Sequence, residues 1–222
     1  MPKETFFNLP DDKRQAILDL AIEEFASHDY KNASISRIVE RAGIAKGSFY
    51  QYFADKKDLY LYLVELAMQE KRAFMSQTRM PRPDMDVFAF IRWLLHTGVD
   101  FQFSNPKLAR IGYRALYDDV PLPDETQTLI KQGSLVYFRQ LVAGGMARGE
   151  LNSALDPDVA AFVFNAVFTE LGNYMLSRMN LDVEPMLAGD LSAMASAESQ
   201  AIFDAVLTIL QRGMAVPRSD PQ

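Results

Sequence analysis

The chain has 222 residues, 49% of them hydrophobic and 23% charged, with a net charge of −6, no cysteine and two histidines, His28 and His96. That is the composition of a folded globular protein with little room for long disorder. It excludes disulfides and thiolate metal sites, and two imidazoles are too few for a His-rich zinc centre, so no metal and no other cofactor is expected.

Every segment reads as helix, and the glycines and prolines fall between helical patterns. Near the start, Lys3 is the only base, and the apolar stretch around Phe6 and Phe7 is too short for a secretory core. A first helix begins near Pro10, with Asp11 and Asp12 in its opening turn and Ile17, Ala21 and Phe25 on one face. It ends near His28. Ser34 is a good N-cap for a short second helix, with Ile35, Ile38, Val39 and Ala42 inside, and Gly43 stops it. A third helix runs from about Lys46 to Gln51. Asp55 caps a fourth, ending near Gln77, with Asp58 at its third position and Leu59, Leu63 and Leu66 inside.

Pro81 and Pro83 break the pattern. Beyond them longer helices are predicted over about Met85–Phe103, Pro106–Tyr117, Asp124–Arg148, Pro157–Asn180 and Ser196–Met214, giving an all-α fold of about nine helices. The longest apolar run, Val159 to Phe168, is interrupted by Asn165, so no membrane span is expected and the protein reads as soluble and cytoplasmic. A disordered tail is expected from Pro217 to Gln222.

Charge is unevenly spread. Lys31 to Lys57 carries six bases against two acids, whereas the other 195 residues sum to −10. A small basic face on an acidic body suits phosphate binding with low non-specific affinity. Within that window, two short helices joined by a glycine-containing turn, with one helix before and one after, make a tri-helical helix-turn-helix. Its third helix must offer small or polar residues to a major groove while inner residues anchor it. Ile44, Phe49 and Phe53 fit as anchors, and Lys46, Gly47 and Ser48 lie at a helix N-terminus that favours phosphate. Gly47 weakens a first helical turn but allows close approach of DNA.

The stretch Ile17-Leu18 … Phe25 … Tyr30 … Ser34-Ile35 … Ile38-Val39-Glu40-Arg41-Ala42-Gly43-Ile44-Ala45-Lys46-Gly47-Ser48-Phe49-Tyr50-Gln51-Tyr52-Phe53 … Lys56-Lys57-Asp58-Leu59 resembles the DNA-binding domain of the TetR/AcrR family. The resemblance covers about residues 10–60. It implies a homodimeric, one-component regulator, with a helix-turn-helix domain over 1–55, a connecting helix over 56–80 and a ligand-binding and dimerisation domain over 81–216. Double-stranded operator DNA and a small-molecule effector are the implied partners, and a repressor released by an apolar or amphipathic molecule is the implied function. Residues matching Ser34, Lys46, Ser48, Tyr50 and Lys56 are implied to contact phosphates or nearby bases, and Arg37, Gly47 and Gln51 to contact bases or sugar-phosphate. Ala45, Gln51 and Ala54 depart from the family's commonest choices.

For the second region the resemblance implies an effector pocket. Trp93, His96, Tyr113, Tyr117, Asn165 and Phe168 are its candidate lining, although aromatics there also serve as core and Asn165 as an interface amide. The last two long helices are the implied dimer interface through Phe162, Ala166, Ile202, Val206 and Ile209; packing within one subunit would give the same apolar stripes. Adjacent acids such as Asp118–Asp119 point apart on a helix and no nucleophile–histidine–acid set is present, so no enzyme is expected. The alternative is a degenerate member that binds a ligand or protein without operator DNA. In the expected mechanism, effector binding moves the fourth helix and changes the separation of two recognition helices, which must meet DNA at a set spacing.

Overall fold

A computed structural model describes residues 1–78, 85–117, 124–181 and 196–216, with side chains left undescribed at 116–117 and 124–132. The expected tail and the Tyr117 side chain lie outside the described residues. Ten helices occur among those residues: α1 Glu4–Phe7, α2 Asp11–Ser27, α3 Ile35–Arg41, α4 Lys46–Tyr52, α5 Lys56–Gln77, α6 Val87–Ser104, α7 Pro106–Tyr117, α8 Asp124–Ala147, α9 Pro157–Arg178 and α10 Ala197–Met214. The chain is all-α. The short α1 is the element that the sequence patterns did not suggest.

Local chemistry sets the helix ends. The Ser34 hydroxyl accepts from Arg37 N at the start of α3, and Gly43 takes φ +64° just beyond its end, a left-handed conformation that disfavours any side chain. The Asp55 carboxylate accepts from Asp58 N at 2.8 Å, while Asp58 reaches back to Ala54 N at 3.0 Å, a reciprocal cap that opens α5. Asp156 caps α9 by accepting from Asp158 N and Val159 N, with Pro157 in the first turn.

The helices form two compact units. The first contains Met1–Phe74 with Asn105–Gln127, so α7 groups with the N-terminal helices. Its core holds Phe6, Phe25, Phe49, Phe53, Leu59 and Leu63, each fully buried. Helix α7 packs on α2, and the Arg114 guanidinium donates to the Phe25 carbonyl at 2.8 Å and to the His28 carbonyl, satisfying acceptors at the α2 C-terminus.

The second unit contains Met75–Ser104 with Thr128–Gln222. Helices α6, α9 and α10 pack together around Ile91, Leu95, Phe164, Met175, Phe203 and Leu207, joined by Phe138 and Val142 of α8. A Cβ at Gly98 of α6 would meet the Phe168 ring at 2.8 Å, so only glycine lets that ring lie against α6. Taken whole, α9 is long and apolar enough to cross a membrane, although its shorter apolar run is not. Core helices of water-soluble proteins pass the same test.

Candidate nucleic-acid interface

The third helix of the helix-turn-helix, α4, is held by two inward rings. Phe49 and Phe53 are fully buried and stack at 5.5 Å. Tyr52 between them is buried as well, and helical geometry turns the opposite face of α4 outward. Lys46, Gly47, Tyr50 and Gln51 are exposed and Ser48 is half-buried. A Cβ built at Gly47 would meet nothing within 4 Å, so the fold itself does not require a glycine there. The Lys46 ammonium lies 3.3 Å from the Ser36 hydroxyl, which brings an exposed residue of α3 to the same face. Sequence patterns passed over Ser36. Its one signal was a small polar residue on the outer side of a short amphipathic helix.

Two of the expected DNA contacts are engaged within the protein. Arg37 donates through Nε to the Glu24 carboxylate at 3.0 and 3.2 Å, and through a terminal nitrogen to Glu24 and to the Asn32 carbonyl at 2.7 Å. Glu24 is a buried carboxylate that also accepts from Ser34 N at 2.7 Å. Burial raises its pKa, but the hydrogen bonds from Arg37 and Ser34 and the guanidinium charge outweigh burial, and the net shift is downward. One carboxylate therefore fixes the start of α3 and the orientation of Arg37.

Lys56 is committed in a similar way. Its ammonium donates to the carbonyls of Tyr30 at 2.8 Å, Ala33 at 3.0 Å and Lys31 at 3.3 Å, and lies 4.7 Å from the Tyr30 ring centroid. Three donors meet three acceptors, so Lys56 closes the loop between α2 and α3. Among the other bases of the window, Arg41 pairs with Glu23 at 3.1 Å. The basic excess counted along the sequence thus overstates the charge displayed.

The residues expected around an effector fall into both units. Tyr113, on α7, belongs to the first unit and is 37% exposed. Trp93, His96, Asn165 and Phe168 belong to the second. Among the described residues, the Trp93 indole N–H and the Asn165 side-chain oxygen are buried without a hydrogen-bond partner. His96 stacks on Phe203 with ring centroids 3.9 Å apart, and burial pushes its pKa down against the opposing pull of Asp100. Phe168 packs on Phe138 at 5.6 Å.

The expected interface residues separate by exposure. Phe162 is 60% and Ile209 71% exposed, while Ala166, Ile202 and Val206 are half-buried. Beside Ile209 and Val159, an open apolar groove of about 300 Å³ runs between the start of α9 and the end of α10, lined also by Leu155, Val163, Leu210 and Met214.

Comparison with known proteins gives two family matches. The family described as bacterial regulatory proteins, tetR family, matches residues 17–63, and a tetracyclin repressor-like C-terminal domain family matches residues 85–215. A TetR family transcriptional regulator from Chloroflexus aurantiacus J-10-FL is 54% identical, with 98% of this chain and 100% of that one covered and a TM-score of 0.88. The fatty acid metabolism regulator protein of Bacillus subtilis is 36% identical over 177 residues, covering 77% of this chain and 88% of its own length. The transcriptional regulator FadR from Bacillus subtilis, in complex with stearoyl-CoA, shares the fold at a TM-score of 0.64 and 19% identity, with 90% of this chain and 98% of that one covered. The chain spans 57% of the length of other curated relatives that it matches at 23% identity.

Proposed function

The chain belongs to the TetR family of transcriptional regulators, and on that premise we propose that it is a cytoplasmic, dimeric repressor whose α4 enters the major groove of operator DNA and leaves it when a small apolar or amphipathic molecule binds the second unit. Residues 1–55 are the DNA-binding part in this reading, 56–80 the connecting helix and 81–216 the effector-binding and dimerising part. The observation that carries it is Gly47. A glycine in the first turn weakens a seven-residue helix relative to alanine, and the protein around it leaves open space where a side chain would sit. Close approach of a partner from outside accounts for both.

Around Gly47, Lys46 and Ser48 meet phosphate at the α4 N-terminus, and Tyr50 and Gln51 reach the backbone and base edges. Ser34, Arg37 and Lys56 contribute chiefly by fixing α3 and the preceding loop. Phe162 and Ile209, apolar and more than half exposed, are the centre of the subunit interface. The orphaned Trp93 N–H and Asn165 oxygen are polar anchors for the effector, because pairing them with a ligand removes a desolvation cost. Stearoyl-CoA, the amphipathic molecule held by the Bacillus subtilis FadR, is of the chemical type proposed here.

Fluorescence anisotropy with a duplex spanning the DNA immediately upstream of the protein's own coding sequence tests the docking face. Tyr50→Ala combined with Lys46→Met should weaken binding by roughly ten-fold or more and reduce the slope of log affinity against log salt by about one. Unchanged affinity at low salt in that double variant would place the DNA elsewhere.

A further inference from the structure

Helix α4 is an unfavourable helix by its own sequence. It has seven residues, where an isolated helix needs about 12–15 to persist in water. Ala45 gives it no side-chain N-cap, and Gly47 weakens its first turn. The last four carbonyls of any α-helix have no donor within the helix, and here these belong to Phe49, Tyr50, Gln51 and Tyr52.

All four have donors. The Phe53 amide donates to the Phe49 carbonyl at 2.9 Å, one turn back. The other three donors come from a segment more than forty residues away in sequence. The Lys3 ammonium donates to the Tyr50 carbonyl at 2.8 Å, the Thr5 hydroxyl to the Gln51 carbonyl, and the Lys3 amide to the Tyr52 carbonyl at 2.8 Å. The segment is pinned by Phe6, which is fully buried and packs on Phe53 at 4.8 Å and on Tyr52 at 6.0 Å between ring centroids. A cation at this end also opposes the negative pole of the helix.

We propose that Lys3 and Thr5 are positioning residues of the recognition helix: they form its C-terminal cap from outside its own sequence and so hold Tyr50 and Gln51 at the angle needed for docking. Each of the carbonyls they satisfy belongs to a residue whose side chain faces outward or to its neighbour in the last turn. Loosening the cap frays the turn that carries Tyr50 and Gln51 while Phe49 stays buried. The proposal rests on the reading that α4 is the docking element.

The test separates the two ideas. In the full-length protein, amide hydrogen exchange is followed at residues 50–53 and, as an internal reference, at Ile38 and Val39 of α3. Thr5→Val, which keeps shape and removes the hydroxyl, should speed exchange at 51–53 roughly five-fold with the α3 amides unchanged, a factor of the size expected for one lost hydrogen bond. Thr5→Ser should restore slow exchange. On the upstream duplex, Thr5→Val and Lys3→Met should each lower affinity by a similar factor with no change in salt slope. Unaltered exchange in Thr5→Val overturns the cap whatever DNA does. A salt slope reduced by about one in Lys3→Met would make Lys3 a phosphate contact and overturn its positioning role. If the wild-type protein binds no DNA, docking by α4 fails, while the exchange data still decide the cap.

Discussion

In the first unit the buried carboxylate of Glu24 has three charged or amide donors, and Lys56 has three carbonyl acceptors. In the second unit Trp93 and Asn165 bury polar atoms with no partner, while Phe162 and Ile209 stand in the open. The difference follows from what each unit is asked to do in the proposed function. A DNA-reading face must hold a few side chains at fixed angles, and the pairing of Glu24, Arg37 and Lys56 fixes the elements that carry it. A unit that joins a second copy and takes up a ligand keeps apolar surface and unpaired polar atoms in reserve.

The strongest way to break that comparison is to charge the exposed apolar side chains. Phe162→Asp with Ile209→Asp puts two carboxylates where the proposed subunit interface is centred. Hot-spot residues, which cluster near the centre of an interface, carry about 2 kcal/mol or more each, so the wild type should sediment as a dimer and the double variant, at the same concentration, as a monomer. Its helical circular dichroism should be unchanged, since both side chains already face solvent within one subunit. A variant that remains dimeric moves the interface off α9 and α10.

Next in size is Glu24→Ala. It leaves the Arg37 guanidinium and the Ser34 amide without their shared acceptor, at a cost on the order of 2 kcal/mol, measured by urea unfolding. The same group sets a pH dependence. Because the folded carboxyl lies below its ordinary value of 4.5, its contribution is complete above that value and disappears as pH falls through the depressed one. Wild-type stability should therefore drop on the acid side more steeply than that of Glu24→Gln. Parallel acid limbs for the two proteins would mean that another carboxylate dominates.

Much of this contrast was readable from residue order, and the limit is physical. Caps at Ser34 and Asp55, the left-handed turn at Gly43 and the apolar faces of α2 to α5 involve partners within a few residues, so spacing alone reveals them. The resemblance implies a base or sugar-phosphate contact for Arg37 and a phosphate or base contact for Lys56, while their acceptors within the protein lie 13 and up to 26 residues away, beyond the reach of spacing. The capping of α2 by Arg114 spans 86 and 89 residues and leaves no local trace. Helix α1 is four residues long, below the reach of any periodicity, and only the paired Phe6 and Phe7 hinted at it. In the second unit an apolar stripe has one pattern whether it faces a core or a partner. Exposure separates Phe162 and Ile209 from half-buried Ala166, Ile202 and Val206.

The smallest expected effect sharpens the comparison from the other side. Asn165 adjoins Phe164 and lies one turn from Ala161 and Phe168, which pack in the core cluster, and among the described residues its side-chain oxygen is buried without a donor. Leucine has the same branched outline at Cγ and nothing to leave unsatisfied, so Asn165→Leu should raise stability toward unfolding by about 1 kcal/mol where its larger methyls are accommodated. In the first unit the corresponding change is Glu24→Leu, and it should destabilise, because there the polar group is paired. A gain at one site and a loss at the other would show that the second unit carries its polar group at a cost. If an effector explains that cost, then stearoyl-CoA or a similar amphipath should raise the melting temperature of the wild type and raise that of Asn165→Leu less. A loss of stability in Asn165→Leu would instead make the amide part of the packed core and remove the reason to look for a ligand beside it.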